Sequence, residues 1–196
     1  YAPIMVLNQW YRTAVASMYT AESHAWSELS RRYVRGDLEY YVPNYWRAAP
    51  ITAKQGSGQQ LSFDEGIAQD LQEKVRQHFQ EGTRLYEALL GMGIAPEQSR
   101  IVLPGYSLYS RVRWTASLST IMRFLKERLA SDAQWEIRQY AGALLAFAYT
   151  CYPASINVSF EELICDDVVQ SQVKYIEQWK QAEQEAAEVG WEISNA

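Results

Sequence analysis

Apolar residues recur at helical spacing along most of the chain. Met5, Val6, Gln9 and Trp10 share one face of a first helix. Pro3 suits its first position, where no amide hydrogen bond is lost. A mostly polar run from Ser23 to Arg35 then breaks the pattern. Leu38 to Val42 reads as a short strand ended by Pro43, and Pro50 to Gly58 as a loop. Its last residues, Lys54-Gln55-Gly56-Ser57-Gly58, permit close backbone approach. Ser62-Phe63-Asp64-Glu65 has the form of a capping box, in which Ser and Glu satisfy each other's free amides. The box predicts a long helix with Ile67, Leu71, Val75, His78, Leu85 and Leu89 on one face, ended by Gly91 to Gly93. A short helix from Pro96 stops before Pro104, and Tyr106 to Thr115 alternates as a strand does. Ser117 is placed to cap a helix carrying Leu118, Ile121, Met122 and Leu125. After Ser131, Ile137, Tyr140, Ala141, Leu144, Leu145 and Ala148 mark another helix, ending near Pro153. A last helix is expected from about Asp167 to Val189.

No internal repeat interrupts this order. Long helices with few strands argue for an α+β fold, with the helices around a small mixed β-sheet. The 196 residues suit one domain, with residues 166–196 as a C-terminal helical extension. Apolar residues make up 48% and charged residues 21%, so a chain of this size builds a core without disulfides or a structural metal. The net charge of −5 argues against a nucleic-acid binder, though not against a small anion held by local arginines. Aromatics reach 13%, which suits a large core or flat ligands that stack. No stretch approaches the roughly 20 apolar residues of a membrane span, and no signal peptide is legible. The chain opens at Tyr1-Ala2-Pro3 without an initiator Met, directly before the apolar run. It is therefore expected to lack a natural N-terminal segment. Two cysteines, Cys151 and Cys165, fit a reducing cytoplasm.

Several chemistries are excluded. Gly56-Ser57-Gly58 lacks the Gly-Lys-Ser/Thr of a phosphate loop. His24 and His78 match no metal-ligand spacing, and no Cys, His and carboxylate set clusters around them. His78 on the apolar helix face reads as a packed core histidine. Cys151, at the end of an apolar helix, reads as a buried small hydrophobe, and neither cysteine has a neighbour that would lower its pKa. What remains is a scatter of arginines in unusual company: Arg32 after Ser27-Glu28-Leu29-Ser30-Arg31, Arg100 after Gln98-Ser99, Arg128 closing one apolar helix and Arg138 inside the next. The guanidinium fork donates two parallel hydrogen bonds and suits phosphate. Ordinary surface ion pairs are the competing account of any one of them.

Three blocks of the chain resemble the flavin-dependent thymidylate synthases. The first is Pro3-Ile4-Met5-Val6 with Gln9-Trp10-Tyr11-Arg12, followed by Ser27-Glu28-Leu29-Ser30-Arg31-Arg32-Tyr33. The second is Glu39-Tyr40-Tyr41-Val42-Pro43 with Lys54-Gln55-Gly56-Ser57-Gly58. The third runs from Gly93-Ile94-Ala95 through Arg100-Ile101-Val102-Leu103-Pro104 to Phe124-Leu125-Lys126-Glu127-Arg128 and Ala133-Gln134-Trp135-Glu136-Ile137-Arg138. Together they cover nearly all of residues 3–153 in the family's order.

The resemblance implies methylation of dUMP at uracil carbon 5. Methylenetetrahydrofolate would give the one-carbon unit, and FAD recharged by NADPH would give the hydride. No enzyme cysteine attacks the uracil in this family. It also implies a homotetramer whose active sites draw on several subunits. Residue by residue, Gln9 matches a position near the uracil, and Glu28, Ser30 and Arg32 match positions that hold phosphate and ribose. Arg100 matches a phosphate-side arginine from another subunit. Arg128 matches the arginine on the pyrimidine edge and is the catalytic candidate. Arg12, Glu28, Ser117 and Arg123 are the cofactor-side candidates.

The flavin side departs from the family pattern. Its Arg-His-Arg element is Arg12-Thr13-Ala14 here, and Met18-Tyr19-Thr20-Ala21-Glu22 falls among extra residues after it. Ser117 and Ser119 stand where the family has Asn and Arg, and Asp132 stands where it has His. Two alternatives therefore stay open. One is a pyrimidine nucleotide-binding homologue that has lost or changed its catalysis. The other is a UMP-specific C5 methylase of specialised or phage metabolism.

Overall fold

The computed structural model describes residues 1–15, 24–28, 38–51, 56–164, 169–170, 172–174, 176–178 and 180–181. They form two compact units, Tyr1–Ile121 and Met122–Ala196.

In the first unit a two-residue strand β1 (Ala2–Pro3) runs into helix α1 (Ile4–Val15). Strand β2 (His24–Glu28) follows, then the long helix α2 (Glu65–Gly91). Next come a single-turn helix α3 (Pro96–Ser99), a 3-10 turn (Arg100–Val102), and strands β3 (Tyr109–Ser110) and β4 (Val112–Ala116). Strand β1 pairs with β3, and β2 with β4 over five residue pairs. Every described pairing is antiparallel, isolated bridges included, where a mixed sheet is the expectation. Strand β2 falls in the run that broke the helical pattern, since His24-Ala25-Trp26-Ser27-Glu28 carries little strand signature of its own. The expected strand at 38–42 is an extended segment held to residues 107–109, with Tyr41 N donating to Ser107 O and Tyr109 N to Glu39 O.

Helix α2 begins two residues later than the capping box requires. Its N-cap is Asp64, which makes no side-chain cap bond, and Glu65 is the first helical residue. Ser62 therefore lies outside the helix, and the box does not form. At the other end the helix closes as expected. Gly93 adopts φ +81°, Gly93 N donates to Leu90 O and Ile94 N to Leu89 O, the paired bonds of a Schellman ending. The inward line of α2 also differs from expectation. Phe79 is buried and stacks on Tyr40 at 4.9 Å, while His78 is exposed beside it. Gln72 and Thr83 share that inward line because they bond the segment at 40–44. Gln72 Nε2 donates to Pro43 O at 3.0 Å, and Thr83 Oγ1 lies 2.9 Å from Tyr40 Oη. Polar residues on the inner face hid it from a purely hydrophobic count.

The division between the units falls inside helix α4 (Leu118–Arg128). The second unit continues with α5 (Trp135–Cys151) and α6 (Pro153–Ile164). Helix α5 follows Ser131 as expected, starting at Trp135 with Gln134 as its N-cap, and buries Ile137, Ala141, Leu145 and Ala148 as its spacing predicts. Described residues between 169 and 181 are helical, and Val173 and Ile176 pack with Ala146 of α5. The rest of the helix expected at 167–189 lies outside the described residues. Cys151 is exposed rather than buried, and Lys180 Nζ stands 3.7 Å from its sulfur and 3.0 Å from Thr150 Oγ1. The C-terminal helical residues thus bring a cation to a thiol that has no charged neighbour in sequence.

Two outcomes follow from this packing. Leu145 is fully buried on α5, so Leu145→Ala should cost about 2–5 kcal/mol in urea unfolding. Tyr109 is held by its ring contacts with Tyr1 (5.0 Å) and Tyr41 (6.5 Å). Burial, and after it the charge of Glu39, pushes the Tyr109 phenol above its ordinary 10.0. A group with a raised folded-state pKa stabilises the fold fully below the unfolded value and loses that contribution as pH rises through the folded one. Thermal melts should therefore fall on going above pH 10, and Tyr109→Phe should reduce that fall.

Candidate functional site

The first unit gathers several candidate residues around one aromatic contact. Trp10 of α1 meets Trp114 of β4 edge-on, with ring centroids 5.5 Å apart and planes at 81°. Gln9 sits beside Trp10 and is half-buried, and Arg12 lies half a turn further along α1, exposed. Strand β4 exposes Arg113 and Thr115 and turns Val112, Trp114 and Ala116 inward, then leads directly into Ser117. Across the ladder, Glu28 pairs with Val112 and Ser27 with Arg113. Gln9, Arg12, Glu28 and Ser117 thus stand on elements in direct contact. Ser30 and Arg32 lie outside the described residues.

Ser117 has a structural duty. Its hydroxyl accepts from Thr120 N at 3.3 Å and lies 3.1 Å from Thr120 Oγ1, and its carbonyl accepts from Ile121 N. It caps α4 as its sequence position predicts. Arg123, one turn further on, donates to Glu127 at 3.1 Å in an exposed i,i+4 pair. That ion pair is the ordinary competing account of an arginine, worth at most a few tenths of a kcal/mol. A flavin diphosphate needs cationic and N–H donors. The exposed Arg12 guanidinium and the Ser117 turn that opens α4 are of that chemistry, and they fit. Arg123 enters such a set only by leaving Glu127.

Arg100 belongs to another part of the same unit. It is exposed at the start of the 3-10 turn and makes a long contact, Nε to Pro96 O at 3.5 Å. The turn is anchored by Ser99, which is fully buried with its hydroxyl on Ala95 O and Ile94 O. The loop ending at Gly58 closes onto residues 46–48: Ala48 N donates to Gln59 O, Gly58 N to Ala48 O and Leu61 N to Trp46 O. A Cβ at Gly58 would stand 3.0 Å from Ala48 O, which is the close approach expected there. Lys54 and Gln55 lie outside the described residues. In the second unit Arg128 ends α4, half-buried beside the buried Phe124 and Leu125, and Arg138 lies half-buried on α5. Among the described residues no group of three or more His, Cys, Asp or Glu could hold a metal. The aromatic pair that joins α1 to β4 leaves no signal in the sequence. Trp10 sat in a recognised motif and Trp114 on an alternating strand, but their contact is a tertiary fact.

Comparison with known proteins matches this framework to one family. Residues 1–154 match the family model described as thymidylate synthase complementing protein. A flavin-dependent thymidylate synthase of Thermus thermophilus is 41% identical over 143 residues, 73% of this chain and 48% of that protein. The Thermosipho africanus enzyme of the same name is 36% identical over 140 residues, 71% of this chain and 57% of that one. Among solved structures, the UMP/dUMP methylase PolB of Streptomyces cacaoi, bound with 5-Br UMP, superposes with a TM-score of 0.67. It is 22% identical, with 83% of this chain and 71% of that chain covered. The chain belongs to the thymidylate synthase complementing protein family, the flavin-dependent thymidylate synthases. It spans about half the length of these curated relatives.

The cap at Ser117 is directly testable. Ser117→Ala should lower stability by about 1 kcal/mol, the ordinary loss at an N-cap, whereas Ser117→Asp should retain it. Paired denaturant melts of the two variants check this.

Proposed function

We propose that this chain is the catalytic part of a flavin-dependent methylase acting at carbon 5 of a uracil nucleotide, dUMP first and UMP as the alternative. The single observation that carries the reading is that the first motif block and the α4 entry meet in one framework. Gln9 and Arg12 are tied to β4 and Ser117 through Trp10 and Trp114. Bound FAD, recharged by NADPH, would supply the hydride, with methylenetetrahydrofolate as the one-carbon donor. Arg12 and the Ser117 turn are the described groups suited to its diphosphate, with Glu28 on the paired strand. Gln9 serves the uracil end, and Glu28, Ser30 and Arg32 serve ribose and phosphate. Arg100 adds a second guanidinium for phosphate, and Arg128 holds the pyrimidine edge, where it would steady charge developing on the ring.

Assembly as a homotetramer with composite sites is part of the proposal. Supporting it, Ile67, His78 and Leu85 line an outer stripe of α2 at helical intervals, with Ile67 50% and Leu85 46% exposed. Two exposed aliphatic side chains on the outer face of a helix about 40 Å long suit contact with another copy. We read the whole chain as one such domain, with residues 166–196 as a C-terminal helical extension, working in the cytoplasm without nucleic acid or membrane. No described helix is long and apolar enough to cross a membrane. A second reading, a nucleotide-binding homologue without flavin chemistry, is favoured by one observation: Arg12-Thr13-Ala14 stands where the family has Arg-His-Arg.

A flavin absorbance scan of the purified protein, with and without dUMP, separates the two. A bound flavin spectrum that dUMP perturbs supports the methylase. Nucleotide binding without flavin, even after reconstitution, selects the second reading. Arg100→Ala and Arg128→Ala should each weaken dUMP binding by about 2–5 kcal/mol in calorimetry, the usual loss on truncating a charged partner. Mixing the two variants should restore some binding after subunit exchange, since a composite site can take its intact arginine from either chain. A monomer by light scattering defeats the composite site.

A further inference from the structure

Helix α2 contains three glycines, Gly66, Gly82 and Gly91, and glycine is the least favourable ordinary residue in a helix interior. None of the three has a positive φ, so the backbone conformation does not call for glycine at any of them. A Cβ at Gly66 or Gly91 would meet nothing within 4 Å. At Gly82 it would stand 3.0 Å from Pro104 Cδ and 3.0 Å from Val102 O. A proline ring and a backbone carbonyl are not flexible side-chain ends. They move only if the turn that carries them moves.

That turn begins at Arg100. Leu103 N bonds Arg100 O at 3.1 Å and Ser107 N bonds Pro104 O at 3.2 Å, so residues 100–107 are linked internally. Directly before it in the chain, Ser99 is buried with its hydroxyl on Ala95 O. We propose that Gly82 is a positioning residue for Arg100. By leaving its side of α2 bare, it seats the Arg100–Pro104 turn at the depth from which the guanidinium meets an anionic ligand. This rests on the reading of Arg100 as a phosphate-binding group.

The test is a double-mutant cycle on dUMP affinity, measured by calorimetry with the full chain. Gly82→Ala should raise the dUMP Kd three- to tenfold, and Gly82→Val should raise it further, while Gly66→Ala leaves it unchanged. In an Arg100→Ala background the Gly82→Ala effect should vanish, which a general loss of stability would not do. Hydrogen exchange of the amides in residues 100–107, measured without nucleotide, should quicken in Gly82→Ala and not in Gly66→Ala. An equal loss in both backgrounds, or no loss in a folded Gly82→Val protein, overturns the proposal. Should Arg100→Ala bind dUMP as the unaltered chain does, it is the phosphate role of Arg100 that fails. The exchange rates then still decide whether Gly82 holds the turn, and unchanged rates overturn it.

Discussion

The backbone of residues 106–116 is the constraint on which the first unit depends. A helix start leaves amides without partners, and here the segment supplies them: Ile4 N donates to Leu108 O and Met5 N to Tyr106 O. The same stretch pairs with β1, takes in the extended residues at 39–41, and then forms the ladder with β2. Its side chains add Leu108 and Ser110 to the interior and Trp114 to the contact with α1. The position of Gln9 and Arg12 is therefore set by hydrogen bonds to a segment about a hundred residues later in the chain.

This arrangement explains why the candidate groups are scattered in sequence yet few in kind. Several described residues in or beside these groups have structural duties of their own. Ser117 caps a helix, Ser99 anchors the Arg100 turn, and Thr83 joins α2 to Tyr40. Groups held in this way lose less conformational freedom on binding than groups on an unanchored segment would.

The parts legible in the sequence are those where local rules and tertiary packing agree. Spacing marked the buried line Ile137, Ala141, Leu145 and Ala148 on α5, and Gly93 marked the end of α2, because burial and positive φ leave direct signatures. The resemblance carried the family through Trp10, Arg12, Arg100 and the block around Arg128. What was not legible turned on partners distant in sequence. His78 was expected inside because its neighbours are apolar, but Gln72 and Thr83 face inward to bond the segment at 40–44. Ser62 has the spacing of a cap because Ser and Glu stand three apart, but the helix starts at Glu65. The apolar sequence around Cys151 predicts a buried, isolated thiol, and only the fold exposes it and brings Lys180 to it.

The pairing of Ala2 with Ser110 also has a bearing on how the chain is made. Helix α1 cannot be secured until a partner more than a hundred residues downstream has been synthesised. At ribosomal rates of about 5–20 residues per second, that is a delay of roughly 5–20 s. Throughout it, Trp10 lacks Trp114, the ring it meets in the fold. Contacts this far apart in sequence slow folding. Helix α1 accordingly waits through the synthesis of that whole stretch before its partner segment exists.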